Sequence, residues 1–157
     1  MRTLQEKREF LSSIPYINSG GCGIAALAMF LASQNKNTQV IYMYKNHSES
    51  SYKNNKKVLE TGKGNAESAG HIAIIFKDGL IIDCDKEILI ENYDYSHTTT
   101  DINFILNSIR NGVWNPTFDR DKYLPSIEEF IDFEIVPKPK QSMFSGAFKA
   151  FKNRSKF

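Results

Sequence analysis

Asn18-Ser-Gly-Gly-Cys-Gly-Ile-Ala-Ala-Leu-Ala-Met-Phe-Leu31 is the stretch on which the fold turns. From Ile24 to Ala32 it is apolar on every face rather than along one stripe, the pattern of a helix enclosed by its own domain. Ser-Gly-Gly delivers the chain into that helix, so Cys22 falls in the first helical turn. There the first N–H groups lack intrahelical partners and the peptide dipoles leave positive potential, conditions that favour the nucleophilic thiolate. Gly20, Gly21 and Gly23 flank the thiol with bare backbone, which leaves room for a substrate carbonyl to approach the sulfur and for its oxygen to meet backbone donors. The competing reading makes Cys22 a small core residue, as free cysteines often are. Its place directly after Ser-Gly-Gly, with no helical neighbours before it to bury it, argues for the first.

A second segment, Gly70-His-Ile-Ala-Ile-Ile-Phe-Lys-Asp-Gly-Leu-Ile-Ile-Asp-Cys-Asp85, reads as a β-hairpin. Ile72 to Phe76 and Leu80 to Ile82 are branched, apolar runs of strand length, and Lys77-Asp78-Gly79 between them is turn chemistry. With a three-residue loop, Phe76 faces Leu80, Ala73 faces Asp83 and His71 faces Asp85, so both carboxylates share a face with His71. A two-residue Asp78-Gly79 loop would turn both aspartates to the other face. Gly79 at the last loop position suits a type I turn with a bulge and favours the longer loop. Taken singly, His71 reads equally as a sheet-edge residue, and Asp83 and Asp85 as solvated strand ends.

The order of a cysteine opening a buried helix, a histidine starting a strand and an aspartate on the next strand resembles the papain-like cysteine peptidase superfamily. Its bacteriocin-processing and transglutaminase-like branches are the most similar. Small bacteriophage proteins with a Ser-Gly-Gly-Cys-Gly start and a later His and Asp are also similar. The resemblance covers roughly residues 16–85. It implies an α+β, papain-like fold in which a buried central helix packs on an antiparallel β-sheet. It also implies Cys22 as nucleophile, His71 as general base and acid, and Asp83 as the residue orienting the imidazole, with Asp85 as the alternative third member. Papain relatives carry a glutamine oxyanion donor six residues before the cysteine, where this chain has Tyr16. The backbone N–H of Cys22 is therefore one expected donor, and Asn18 is the side-chain candidate for the other. Cys-Gly at 22–23 matches the bacteriocin-processing branch rather than papain itself. The implied chemistry is acyl transfer through a thioester, leaving hydrolysis, deamidation and transglutamination open.

The remaining signals are weaker. Cys84, between the two aspartates, points away from His71 by strand alternation and reads as a buried small residue. His47 and His97 lie in polar segments expected to be exposed. No usual ligand spacing or phosphate loop occurs, so no metal and no cofactor are assigned. At 157 residues and 41% hydrophobic content the chain suits one domain, expected over 1–136. It shows no signal-peptide h-region and no run long enough to span a bilayer, so a reducing cytoplasm, the host's if the protein is viral, is the expected location.

Periodicity predicts a first helix at about 3–12, the central helix at about 21–34 and a strand from Gln39 to Tyr44. Lys45 to Gly70 reads as a long polar loop, either covering the cleft or a mobile insertion. Thr99-Thr100-Asp101 caps a helix running to about Arg110, and Pro125 to Asp132 forms a shorter one. Trp114, Tyr93, Tyr95 and Tyr123 either line a pocket or pack.

The tail, 137–157, is a separate region by charge. It carries +6 of a formal net charge of +2, leaving −4 for the rest. Phe144, Phe148 and Phe151 fall at helical spacing beside Lys149 and Lys152, an aromatic face with basic flanks. Such a segment suits an anionic membrane surface or an acidic partner, or its phenylalanines dock on the domain itself. The chain has no distributed basic face, which argues against nucleic acid. Two principal functions remain at this level. One is a cysteine-dependent amide or peptide hydrolase or acyltransferase acting on a peptide or protein. The other is a noncatalytic binding or structural protein, of a viral assembly for example, that retains the fold.

Overall fold

Strand β1 (Gln39–Tyr44) is the central strand of an antiparallel sheet. It lies between β2 (His71–Ile75) and β4 (Tyr95–Thr99), with the two-residue β3 (Ile81–Ile82) beyond β2. The computed structural model describes residues 3–33, 37–63, 69–111 and 115–136. With five α-helices among these residues, the architecture is α+β. The tail calls at Phe144, Phe148, Lys149, Phe151 and Lys152, and that at Trp114, lie outside them.

Val-Ile-Tyr-Met-Tyr in β1 is a run of β-favouring side chains buried on both faces. Val40, Tyr42 and Tyr44 enter the main core with helix α2 (Cys22–Ser33), together with Ile72, Ile74 and Ile82. Ile41 and Met43 point the other way and join Ala73, Ile81 and Ile88 in a smaller cluster. Helix α2 is enclosed as its sequence predicts. Leu27 and Met29 have no exposed surface, and each such burial stabilises by roughly 2 kcal/mol. The two core tyrosines place their hydroxyls on polar partners, Tyr42 on Ser108 Oγ at 2.7 Å and Tyr44 on His97 Nε2 at 3.0 Å.

Helix α1 (Leu4–Ser12) starts in a capping box formed by Thr3 and Glu6. Helix α4 (Ile102–Asn111) starts at the predicted cap, where Asp101 Oδ1 accepts from the Asn103 N–H at 2.9 Å. The hairpin has the three-residue loop. Phe76 N–H donates to Leu80 O, Gly79 N–H donates to Phe76 O, and Ile75 pairs with Ile81.

Three expectations are corrected. Much of the segment expected to be a loop is helix α3 (Glu49–Thr61), capped by Ser48 and closed by Gly62 at φ 71°. Its few apolar residues are spaced for one face: Val58 and Leu59 are buried and Tyr52 packs against the core. Helix α5 (Arg120–Ile131) starts five residues before Pro125, because Asp119 caps it by accepting from the Lys122 N–H. His97 is buried, since Tyr95–Thr99 is a strand whose face of Tyr95, His97 and Thr99 turns inward while Ser96 and Thr98 are exposed.

Candidate active site

Cys22 is the first residue of α2, carried there by a chain of turns from Ser13 to Gly21. Gly20 sits at φ 135°, and a Cβ there would lie 2.0 Å from the carbonyl oxygen of Asn115. A Cβ on Gly21 would meet Ile17 and Phe118 at 2.8 to 2.9 Å. These two glycines are therefore required by the 115–118 segment packed against them. That corrects the expectation that they leave open backbone around the sulfur. Cys22 itself is only 5% exposed.

His71 opens β2, and its Nε2 lies 2.8 Å from Asp83 Oδ2. Nε2 is thus engaged by the carboxylate, and Nδ1 is the ring nitrogen that the carboxylate does not take. Cys22 is the other group beside the ring that bears on its titration. Burial pushes the His71 pKa down. The hydrogen bond with Asp83, the neighbouring Cys22 and the charges of both outweigh it and raise the pKa to about 9.

Asp83 is held at every polar atom. Its Oδ1 accepts from the backbone N–H groups of Asp85 and Lys86, each at 2.7 Å, leaving Oδ2 for the imidazole. Its own N–H donates to Lys86 O, and its carbonyl accepts from Arg8 Nε of α1 at 3.0 Å. Burial disfavours the carboxylate, but these hydrogen bonds and the facing imidazole hold its pKa below the usual value. An anion fixed in this way keeps the ring in one orientation and stabilises its protonated form.

The other candidates fall nearby in different roles. Asp85 is exposed in the turn after Asp83 rather than opposite His71, and its Oδ2 accepts from Asn18 Nδ2 at 2.7 Å. The Asn18 amide is thus engaged by Asp85, while its Oδ1 lies 3.7 Å from Cys84 Sγ. Burial and the two neighbouring aspartates push the Cys84 thiol up to about 12, in keeping with a packing role. A cleft of about 380 Å³ opens over His71, Asp83, Asp85, Lys86 and Tyr93. Tyr95 stacks on Tyr52, and Tyr123 on Phe118, so of the three tyrosines only Tyr93 is in that lining. Among the described residues no group of three His, Cys, Asp or Glu is placed to hold a metal ion. No helix among them is long and apolar enough to cross a membrane. Comparison with family models, curated proteins and solved structures returns no match.

Sequence reasoning missed the buried ring system around His97. The imidazole stacks on Tyr42 with centroids 4.9 Å apart and meets Phe104 edge-on. Burial, and then the charge of Lys56, push its pKa down to about 4, so the ring is neutral at physiological pH. The signal available was the β-favouring Tyr-Ser-His-Thr-Thr composition, which the density of polar residues masked.

Proposed function

We propose that the protein is a cysteine-dependent acyl-transfer enzyme of papain-like type, acting on an amide of a peptide or protein. The observation that carries this reading is the placing of Cys22, at the start of a buried helix, beside His71, whose imidazole is hydrogen-bonded to a fully anchored Asp83. In the reaction the Cys22 sulfur adds to the substrate carbonyl carbon, and the carbonyl π pair moves to oxygen. When the intermediate collapses, the C–N bond breaks, the departing nitrogen takes the proton from His71 and a thioester remains. Water or an amine, deprotonated by the now neutral imidazole, releases the acyl group. Peptidase, deamidase and transglutaminase-type outcomes differ only in leaving group and acceptor. A reducing cytoplasm, and a tail at 137–157 that contacts an anionic membrane surface or an acidic partner, complete the reading.

A noncatalytic protein of the same fold is the second reading, favoured by the 5% exposure of Cys22. Iodoacetamide labelling of Cys22 separates the two, measured from about pH 5 to about pH 9 in wild type and His71→Ala. The enzyme reading expects labelling at about pH 6 that slows by about tenfold or more in the variant. Equal, slow labelling of both proteins would overturn it.

A further inference from the structure

Resting on the Cys22–His71–Asp83 reading, we propose that the Tyr93 hydroxyl is the side-chain donor that receives the substrate carbonyl oxygen during acylation by Cys22.

An acyl-transfer site needs donors aimed at the oxygen that becomes negative. The backbone N–H of Cys22, first in α2, is one such group, because no carbonyl of its own helix precedes it by four residues. Asn18 does not supply the second, since its amide nitrogen is bonded to Asp85. Tyr93 has the position and the chemistry. It lines the same cleft as His71 and Asp83. Its ring lies against Gly70, the residue before His71, with Cε1 3.5 Å from where a Cβ on that glycine would stand.

The backbone around Tyr93 is fixed. Its N–H donates to Ile90 O at 3.0 Å, and the next N–H, of Asp94, donates to Tyr44 O at the end of β1 at 2.8 Å. Its hydroxyl has no hydrogen-bond partner among the described residues, so the donor is not committed elsewhere. Burial, and then the neighbouring Cys22 and Asp83, raise the Tyr93 pKa above its ordinary value, which keeps the phenol protonated and able to donate. Lys86 lines the cleft too, but it is exposed. A hydrated ammonium on a long stem is a poorly fixed donor.

In the acylation step the S–C bond forms, the π pair moves to oxygen, and Tyr93 and the Cys22 N–H donate to that oxyanion without losing their protons. Alkylation by iodoacetamide displaces iodide and forms no oxyanion, whereas acylation by p-nitrophenyl acetate does. The two reagents therefore separate reactivity of the thiol from stabilisation of the oxyanion. In Tyr93→Phe, which keeps the ring on Gly70, we expect Cys22 alkylation within about twofold of wild type and acylation slower by about tenfold or more. In Lys86→Met, which removes the ammonium from the cleft but keeps the backbone N–H that holds Asp83, acylation is expected to fall less than in Tyr93→Phe. Equal acylation in wild type and Tyr93→Phe, with alkylation intact, would overturn the assignment of Tyr93 alone. A loss in Lys86→Met at least as large as that in Tyr93→Phe would transfer the role to Lys86 and overturn it equally. Alkylation that is slow in wild type and unaffected by His71→Ala would overturn the Cys22–His71 reading and this inference with it.

Discussion

Raising the pH through the titration of His71 should remove a measurable part of the stability of the fold. The ring titrates at 6.5 when free and at about 9 in the folded chain, because the contacts with Asp83 and Cys22 outweigh burial. A base whose pKa is raised on folding holds its proton more tightly in the native state. Its contribution is therefore complete below pH 6.5, falls through the interval, and is gone above about 9. Within that interval the native chain carries one proton more than the unfolded one, so stability falls by about 1.4 kcal/mol per pH unit. The total is on the order of 3 kcal/mol, a large share of the roughly 5–15 kcal/mol typical of a domain. Urea unfolding of wild type and Asp83→Asn across this range measures it. The asparagine keeps the shape of the carboxylate but not its charge, and burial is then the leading influence on the ring. We expect the midpoint of wild type to fall steadily over the interval and that of the variant to stay nearly level. A wild-type midpoint that does not move, or a variant that follows the same slope, would refute the account. Cys84, an acid moved from 9 to about 12, and the raised tyrosines, whose ordinary value is 10, lose stability only above this window.

Two further outcomes follow from the same structure. His97, lowered to about 4, must be neutral in the folded chain, so stability is complete above pH 6.5 and falls as acid protonates the unfolded ring preferentially. His97→Phe should flatten the acid limb of a urea series by up to about 1.4 kcal/mol per pH unit; the part that Asp83 contributes should persist. Gly20→Ala should destabilise by roughly 3 kcal/mol or more, since its Cβ would sit 2.0 Å from Asn115 O at φ 135°. Gly79→Ala, at φ 94° with nothing within 4 Å, should cost only about 1 kcal/mol of backbone strain. Thermal unfolding of the two variants side by side checks the difference, and equal losses would show that packing is not what Gly20 serves.

The parts of this fold that were legible in the sequence are those whose causes are local. The apolar run after Cys22 needs no partner to declare a buried helix, and Lys77-Asp78-Gly79 fixes the hairpin register through turn chemistry alone, so the shared face of His71 and Asp83 followed directly. Helix α3 was hidden because three or four apolar side chains suffice when only one narrow stripe meets the core, while the rest of Glu49–Thr61 is polar enough to pass for a loop. His97 was hidden for a related reason. A polar ring is expected in water unless its partners are visible, and the Tyr44 hydroxyl that satisfies it is 53 residues away.

Gly20 shows the same limit from the opposite side. A glycine beside a candidate nucleophile invites an explanation in terms of that cysteine. The atom that forbids a side chain there belongs to Asn115, far along the chain. The choice between the two aspartates, by contrast, was local but of a kind that alternation does not describe. Both were expected on the histidine's face, and strand geometry alone does not rank them. The ranking comes from Asp83 itself, whose Oδ1 gathers the N–H groups of Asp85 and Lys86 and so bends the chain out of the strand. The bend takes Asp85 to Asn18 and leaves Asp83 facing the imidazole with its second oxygen. The residue that orients His71 thus also removes its competitor, and it does so with the oxygen that the imidazole does not use.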